Sequence, residues 1–347
     1  MRHPPARFAR GMTAPLSVLD LASVADDATH AEALADTVAL ARTADELGYR
    51  RFWVAEHHGM PGVASSAPAV LIGAIAAATE RIRVGSGGVM LPNHSSLVVA
   101  EQFGTLVALH GDRIDLGLGR APGTDPITTS AVRRGAVAET VDDFPDQVLE
   151  LLAYFGTIPA LPGGQGGRIV AVPGAGDSPE LWLLGSSDFS ARLAGMMGLP
   201  FAFAHHFAGG RNTPIAFDVY RRSFTPSVVL REPHAMVAVA VIAADSDAEA
   251  RRLMLPGALS MLRLRSGRPG RTPTLAQAEA HAWTEAENAY LDERIGTQAI
   301  GSLDTVRSRI GALVEATEAD EVIVVPQGPD LATRTATLRV LAEAGAS

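Results

Sequence analysis

Apolar positions along the chain fall into two patterns. Short runs of Val, Ile, Leu and Phe recur from end to end, and most are followed by a longer stretch whose apolar residues repeat at helical spacing. Eight runs read as strands: residues 16–21, 51–56, 82–90, 113–119, 181–185, 200–205, 236–243 and 321–325. The helices between them carry local punctuation. Thr29 and Glu32 have the spacing of a capping box, residues 33–47 keep an apolar stripe, and Gly48 closes that helix before the second strand. Ser302 and Leu338 bracket a similar ending. Eightfold strand–helix alternation favours parallel strands joined by right-handed crossovers, and eight such units close into a (β/α)8 TIM barrel; an open doubly wound sheet is the alternative.

A minimal barrel takes about 250 residues, which leaves roughly 100 of the 347 for insertions. Residues 121–143 follow the fourth strand, 156–179 are rich in Gly and Pro and read as a hairpin excursion, and 265–301 are polar and read as a lid. No charge run or short repeat divides the chain, so residues 14–347 read as one domain. Residues 1–13 carry Arg2, Arg7 and Arg10 without the apolar stretch of a secretion signal, and read as a disordered extension of a cytoplasmic protein. The longest apolar run, 67–78, is interrupted by Gly73 and is too short to span a bilayer.

Composition narrows the chemistry. All 29 basic residues are Arg, and the absence of Lys excludes Schiff-base catalysis, Lys-anchored pyridoxal phosphate and Lys-dependent phosphate loops. With no Cys, disulfides, thiolate nucleophiles, Cys-ligated zinc and iron–sulfur clusters are excluded as well. A net charge of -9 opposes nucleic-acid binding and leaves a small molecule as the expected partner.

In a parallel barrel the reactive groups sit where strands end, because the following loops line one mouth. The second strand ends in Glu56-His57-His58. If Trp53 and Ala55 face inward, so does His57, and its imidazole can exchange a proton near neutral pH; a structural, hydrogen-bonded histidine fits the same spacing. A metal reading draws on His57, His58, His94, His205 and His206, but adjacent histidines on a strand diverge and no dedicated ligand spacing is present, so no metal is expected. Gly85, Gly87 and Gly88 inside the third strand mark either a bend or a place where a ligand meets bare backbone, and the two are compatible. Arg120 ends the fourth strand and Gly185-Ser186-Ser187 the fifth, with a helix expected from Asp188. Ser187 alone reads as a helix cap completed by Ser190. Beside Arg120 on the neighbouring strand, these hydroxyls and the helix start read as a phosphate seat.

The segments Leu16-Ser17-Val18-Leu19-Asp20-Leu21, Phe52-Trp53-Val54-Ala55-Glu56-His57-His58, Ala100-Glu101-Gln102-Phe103-Gly104-Thr105-Leu106, Asp115-Leu116-Gly117-Leu118-Gly119-Arg120-Ala121-Pro122-Gly123 and Leu183-Leu184-Gly185-Ser186-Ser187 resemble the bacterial-luciferase-like flavin monooxygenases. The resemblance runs from about residue 16 to the C-terminus and thins in the expected lid. It implies reduced FMN at the barrel mouth, to which O2 adds to give a flavin peroxide that oxygenates an organic substrate. It places His57 on the active-site histidine, Gly87-Gly88 on a pair joined by a non-proline cis peptide under the flavin ring, and Arg120 with Ser186, Ser187 and Ser190 on the phosphate ligands. It also implies a homodimer formed through helices near the second and third strands, where 70–78 and 97–109 are apolar.

Three positions depart from the luciferase pattern. Ser186 replaces a carboxylate, Gly119 a cysteine, and His205 an aromatic neighbour of the flavin. These departures point away from light emission and a long-chain aldehyde, toward the single-subunit oxidoreductases of the family. With no Gly-rich dinucleotide turn in the chain, reduced FMN is expected from a separate NAD(P)H-dependent flavin reductase. The alternatives are a hydride-transfer enzyme using the deazaflavin F420, a non-catalytic partner subunit, which has no use for a phosphate seat, and a metal-dependent barrel hydrolase.

Overall fold

Runs of Val, Ile, Leu and Phe become strands here because they are buried on both faces, between a barrel interior and a coat of helices. The computed structural model describes residues 14–133, 143–159, 169–208 and 212–346. Within these lie β1 (Leu16–Asp20), β2 (Arg51–Val54), β3 (Arg83–Met90), β4 (Ile114–Gly119), β5 (Glu180–Gly185), β6 (Phe201–Phe203), β7 (Ala235–Ala244), β8 (Ala299–Ser302) and β9 (Glu321–Pro326). The helices are α1 (His30–Glu46), α2 (Pro68–Ala78), α3 (Ser96–His110), α4 (Pro126–Val132), α5 (Phe144–Tyr154), α6 (Asp188–Met197), α7 (His205–Ala208), α8 (Thr213–Ser223), α9 (Asp247–Arg265), α10 (Leu275–Glu279), α11 (Glu285–Thr297), α12 (Leu303–Thr317) and α13 (Leu331–Ala346). Parallel pairing runs β1-β2-β3-β4-β5-β6-β7-β9 and returns to β1, a closed eight-stranded barrel. The open-sheet alternative is excluded by the β6–β7 closure. No helix among the described residues is long and apolar enough to cross a membrane.

The eight expected runs are the eight barrel strands. One strand was not expected. β8 lies in the segment read as a lid and pairs with 241–244 of β7, outside the ring. Ala299-Ile300-Gly301-Ser302 is too short and too rich in small residues to signal a strand. It pairs because β7, at 10 residues, extends past its contact with β9, which ends at Val241. The rest of the segment contains α10 and α11, and Thr272 forms a bridge with Ala25 after β1. The expected extension 1–13, and the centres of the insertions at 134–142 and 160–168, lie outside the described residues.

Alternation puts Leu19, Trp53, Ala55, Trp182, Met236 and Ile323 inside the barrel, while Val18, Phe52, Val54 and Val84 pack outward against helices. Capping fixes the first crossover as expected: the Thr29 hydroxyl accepts from the Glu32 amide, and the Glu32 carboxylate accepts from the Thr29 amide.

The N-terminal end of the barrel is closed by charge. Arg51, fully buried, reaches Asp115 at 2.9 Å, Glu321 at 3.1 Å and Glu180 at 2.9 Å. Arg83 shares Asp115 at 2.6 Å, and Trp53 Nε1 donates to the same carboxylate at 2.9 Å. Burial pulls the Arg51 guanidinium below its ordinary pKa, but the three carboxylates outweigh it and hold its proton more tightly than usual. Removing Asp115 would take an acceptor from the fully buried Arg51 guanidinium and from Trp53 Nε1. We predict that Asp115→Ala lowers unfolding free energy by about 3–5 kcal/mol, read from the urea midpoint; a loss below about 1 kcal/mol, typical of exposed pairs, would contradict this.

Candidate functional site

At the opposite end, the C-terminal ends of the strands enclose a cavity of about 270 Å³. Its floor is made of side chains that face into the barrel, Leu19, Trp53, Ala202, Ala238 and Ile323. Five successive strand ends supply its walls.

β3 contributes bare backbone. The Gly87–Gly88 peptide is cis, and the register with β4 shifts between Gly87 and Val89. A Cβ on Gly88 would lie 2.6 Å from the Gly117 carbonyl, and one on Gly87 would lie 2.7 Å from Leu19. At Gly88 the blocking atom is backbone and only glycine fits, whereas at Gly87 it is the tip of a leucine; with glycine at both, the cavity meets peptide rather than side chain there.

β4 and β5, which are paired neighbours, supply the cation and the hydroxyls. Arg120 lies over the Phe189 ring at 4.0 Å, in the first turn of α6, and among the described residues it has no carboxylate partner. Ser187 occupies the N-cap position of α6, yet its hydroxyl makes no bond to the helix. Arg120, Gly185, Ser186, Ser187 and Ser190 therefore line one end of the cavity with uncommitted donors and a helix start, an arrangement suited to an anion. Gly185 is required because Ser190 packs where its Cβ would be, at 2.3 Å.

His57 stands past the end of β2. Its Nδ1 is 3.0 Å from the Gly123 carbonyl, which can only accept, so Nδ1 carries the hydrogen and Nε2 offers a lone pair. Burial pulls this imidazole below its ordinary pKa, against the opposing pull of the Gly123 carbonyl and Glu56. It is a neutral base at neutral pH. Glu56 is buried and structural. It accepts from His58 at 2.7 Å and His94 at 2.8 Å through one oxygen, and from the Met90 amide at 3.0 Å through the other. Burial pushes its carboxyl up, but these bonds outweigh burial and hold it ionised. Sequence spacing did not reveal this Glu56–His58–His94 cluster, because His94 is 38 residues away from Glu56; its three ligand-type atoms lie within 4.8 Å.

His205 takes a different place from the one expected. Its Nδ1 meets Thr213 Oγ1 at 2.8 Å and its Nε2 the Thr297 carbonyl at 2.8 Å, and it does not line the cavity; His206 does. Strand alternation could not show this, because β6 ends at Phe203 and helix α7 begins at His205. Phe207 and Met90 also join the lining without a prior signal.

The luciferase-like monooxygenase family model matches residues 15–320. The chain belongs to this family. An uncharacterised Bacillus subtilis protein, YvbT, is 47% identical over 94% of this chain and 96% of its own. A luciferase-like monooxygenase of Escherichia coli K12 is 43% identical over 90% and 91%, and an N-acetyl-S-alkylcysteine monooxygenase of Bacillus subtilis is 38% identical over 77% and 78%. Among solved structures, apo-MsnO8 superposes with a TM-score of 0.86 at 38% identity, covering 96% of this chain and 98% of that one. Two more distant structures share the fold, each covering 98% of its own chain. The FMN-bound oxygenating constituent of 3,6-diketocamphane monooxygenase from Pseudomonas putida has a TM-score of 0.70 at 21% identity over 96% of this chain. An F420-dependent secondary alcohol dehydrogenase has a TM-score of 0.64 at 14% identity over 95%.

The buried imidazoles at and beside the mouth also set an acid response. Burial lowers His57, His205 and His206 alike, so below about pH 6.5 the unfolded chain binds more protons than the folded one. Their contribution is complete above that pH and is lost as pH falls through the folded values. Thermal melting should therefore begin earlier at pH 5 than at pH 7.5; equal midpoints would refute the assignment.

Proposed function

We propose that this protein is a monooxygenase that uses reduced FMN and O2 to insert one oxygen atom into a small organic substrate, the other leaving as water. The observation that carries the reading is an arginine with no carboxylate partner among the described residues, converging with hydroxyls and a helix N-terminus at one end of the barrel-mouth cavity. That end suits a phosphate monoester, and bare glycine backbone suits a flat ring. Bound flavin would supply the electrons and the place where O2 is activated.

The chain's own residues do the rest. Arg120, Ser186, Ser187 and Ser190 hold the phosphate while the Gly87–Gly88 peptide supports the ring. His57 accepts a proton through Nε2 from the substrate. Residues 265–301 exclude water from the mouth. Electrons reach FMN outside this chain, from an NAD(P)H-dependent reductase. Family membership and the N-acetyl-S-alkylcysteine monooxygenase relative support oxygen insertion over hydride transfer. Val70, Val98 and Leu109, exposed on α2 and α3, support the homodimer.

Fluorescence titration with FMN and with F420 tests the cofactor; tight F420 binding without FMN binding would overturn the reading. Arg120→Ala is expected to weaken FMN binding by about 1.5–3 kcal/mol, the worth of a charged hydrogen bond, and unchanged affinity would place the seat elsewhere. His57→Ala should leave FMN affinity intact while lowering substrate-dependent oxygen consumption by about 10²-fold or more; full activity would remove its role.

A further inference from the structure

His205 and His206 are neighbours with opposite fates. Both ring nitrogens of His205 are bonded, whereas neither ring nitrogen of His206 has a hydrogen-bond partner among the described residues, although the residue is 6% exposed. A buried polar group left unsatisfied destabilises a fold, and one that persists calls for an explanation. No looseness of the side chain accounts for it. The His206 ring packs against Phe207, with centroids 4.2 Å apart and the planes inclined by 42°, and Arg294 Nη1 donates to the His206 carbonyl at 2.7 Å. Its backbone and its ring face are fixed and its nitrogens are left open beside the cavity it lines.

Position strengthens the case. In the ring of eight strands, β2 and β6 are four apart, so the loops that carry His57 and His206 face each other across the mouth. The cavity, about 270 Å³, is below the roughly 300–1,000 Å³ of pockets for drug-sized ligands and is lined by both Arg120 and His206, so a molecule as large as FMN held at Arg120 would come against the His206 wall. We infer that His206 is a cofactor-contacting residue that hydrogen-bonds the polar edge of the flavin ring from the wall opposite His57. This rests on the FMN reading above. Burial, reinforced by Arg294, lowers the imidazole to about 3, against the Ala238 carbonyl, which lies outside hydrogen-bonding geometry. It therefore stays neutral, with one N–H and one lone pair, and matches a ring edge on which carbonyl and N–H groups alternate.

An imidazole kept for the fold and one kept for a ligand respond oppositely to His206→Phe, which retains bulk and removes both nitrogens. Without flavin, His206→Phe should melt about 2 °C higher than wild type, the shift expected on removing an unsatisfied group from a chain of this size. Titrated with FMN and with riboflavin, it should bind each about tenfold more weakly, with part of the affinity restored in His206→Gln. Arg120→Ala serves as the control for the other end, losing FMN affinity but not riboflavin affinity. A His206→Phe protein that melts lower than wild type, or that binds both flavins as wild type does, overturns this inference and leaves the FMN reading standing. Wild-type protein that binds no FMN removes both.

Discussion

The Arg51 guanidinium, fully buried among Asp115, Glu180 and Glu321, is the interaction on which the rest of the molecule depends. In a parallel barrel, slipping one strand by one residue exchanges its inner and outer faces. Apolar runs such as Ala235–Ala244 resist such slippage weakly, because both of their faces are apolar. A charge with one partner on β4, one on β5 and one on β9 does not tolerate it, since a slip of β2, β4 or β9 separates fully buried ions from their counterions. Arg51 begins β2, and five residues later the same stretch of chain delivers Glu56 and then His57 to the mouth. The lock at one end of the barrel thus sets the geometry at the other.

Much of this was legible because it is local. All eight barrel strands were visible as apolar runs, the α1 capping box was visible at its spacing of three, and the strand-end rule led to His57, Arg120 and the serines. What escaped was either non-local or small. Arg51, Asp115, Glu180 and Glu321 can be read as charges inside apolar runs, but their convergence requires the barrel to be closed. Glu56 could be read as a partner, but that His58 and His94 share one of its oxygens follows only from the turn after β3. β8 was hidden because four residues, two of them Ala and Gly, carry no period. The choice between His205 and His206 depended on a change from strand to helix within two residues, where neither periodicity applies.

Two imidazoles at the mouth differ in how the fold treats them. His57 has one nitrogen fixed by a carbonyl and one free, which defines its tautomer and its direction. His206 has its backbone and its ring face fixed and both nitrogens free. The contrast with fully bonded His205 shows that this fold can satisfy a histidine at the end of β6.

The glycines of β3 and β4 divide the rim into two arcs with separate evolutionary prospects. Gly88 and Gly117 each have a backbone oxygen 2.2–2.6 Å from where a Cβ would stand. No substitution there is neutral, and drift along that arc is closed. Diversification toward new molecules is confined to the far arc, where the loops after β1, β7 and β9 meet α9 to α11. Descendants of this chain can change what they oxidise while leaving the arc of bare backbone untouched.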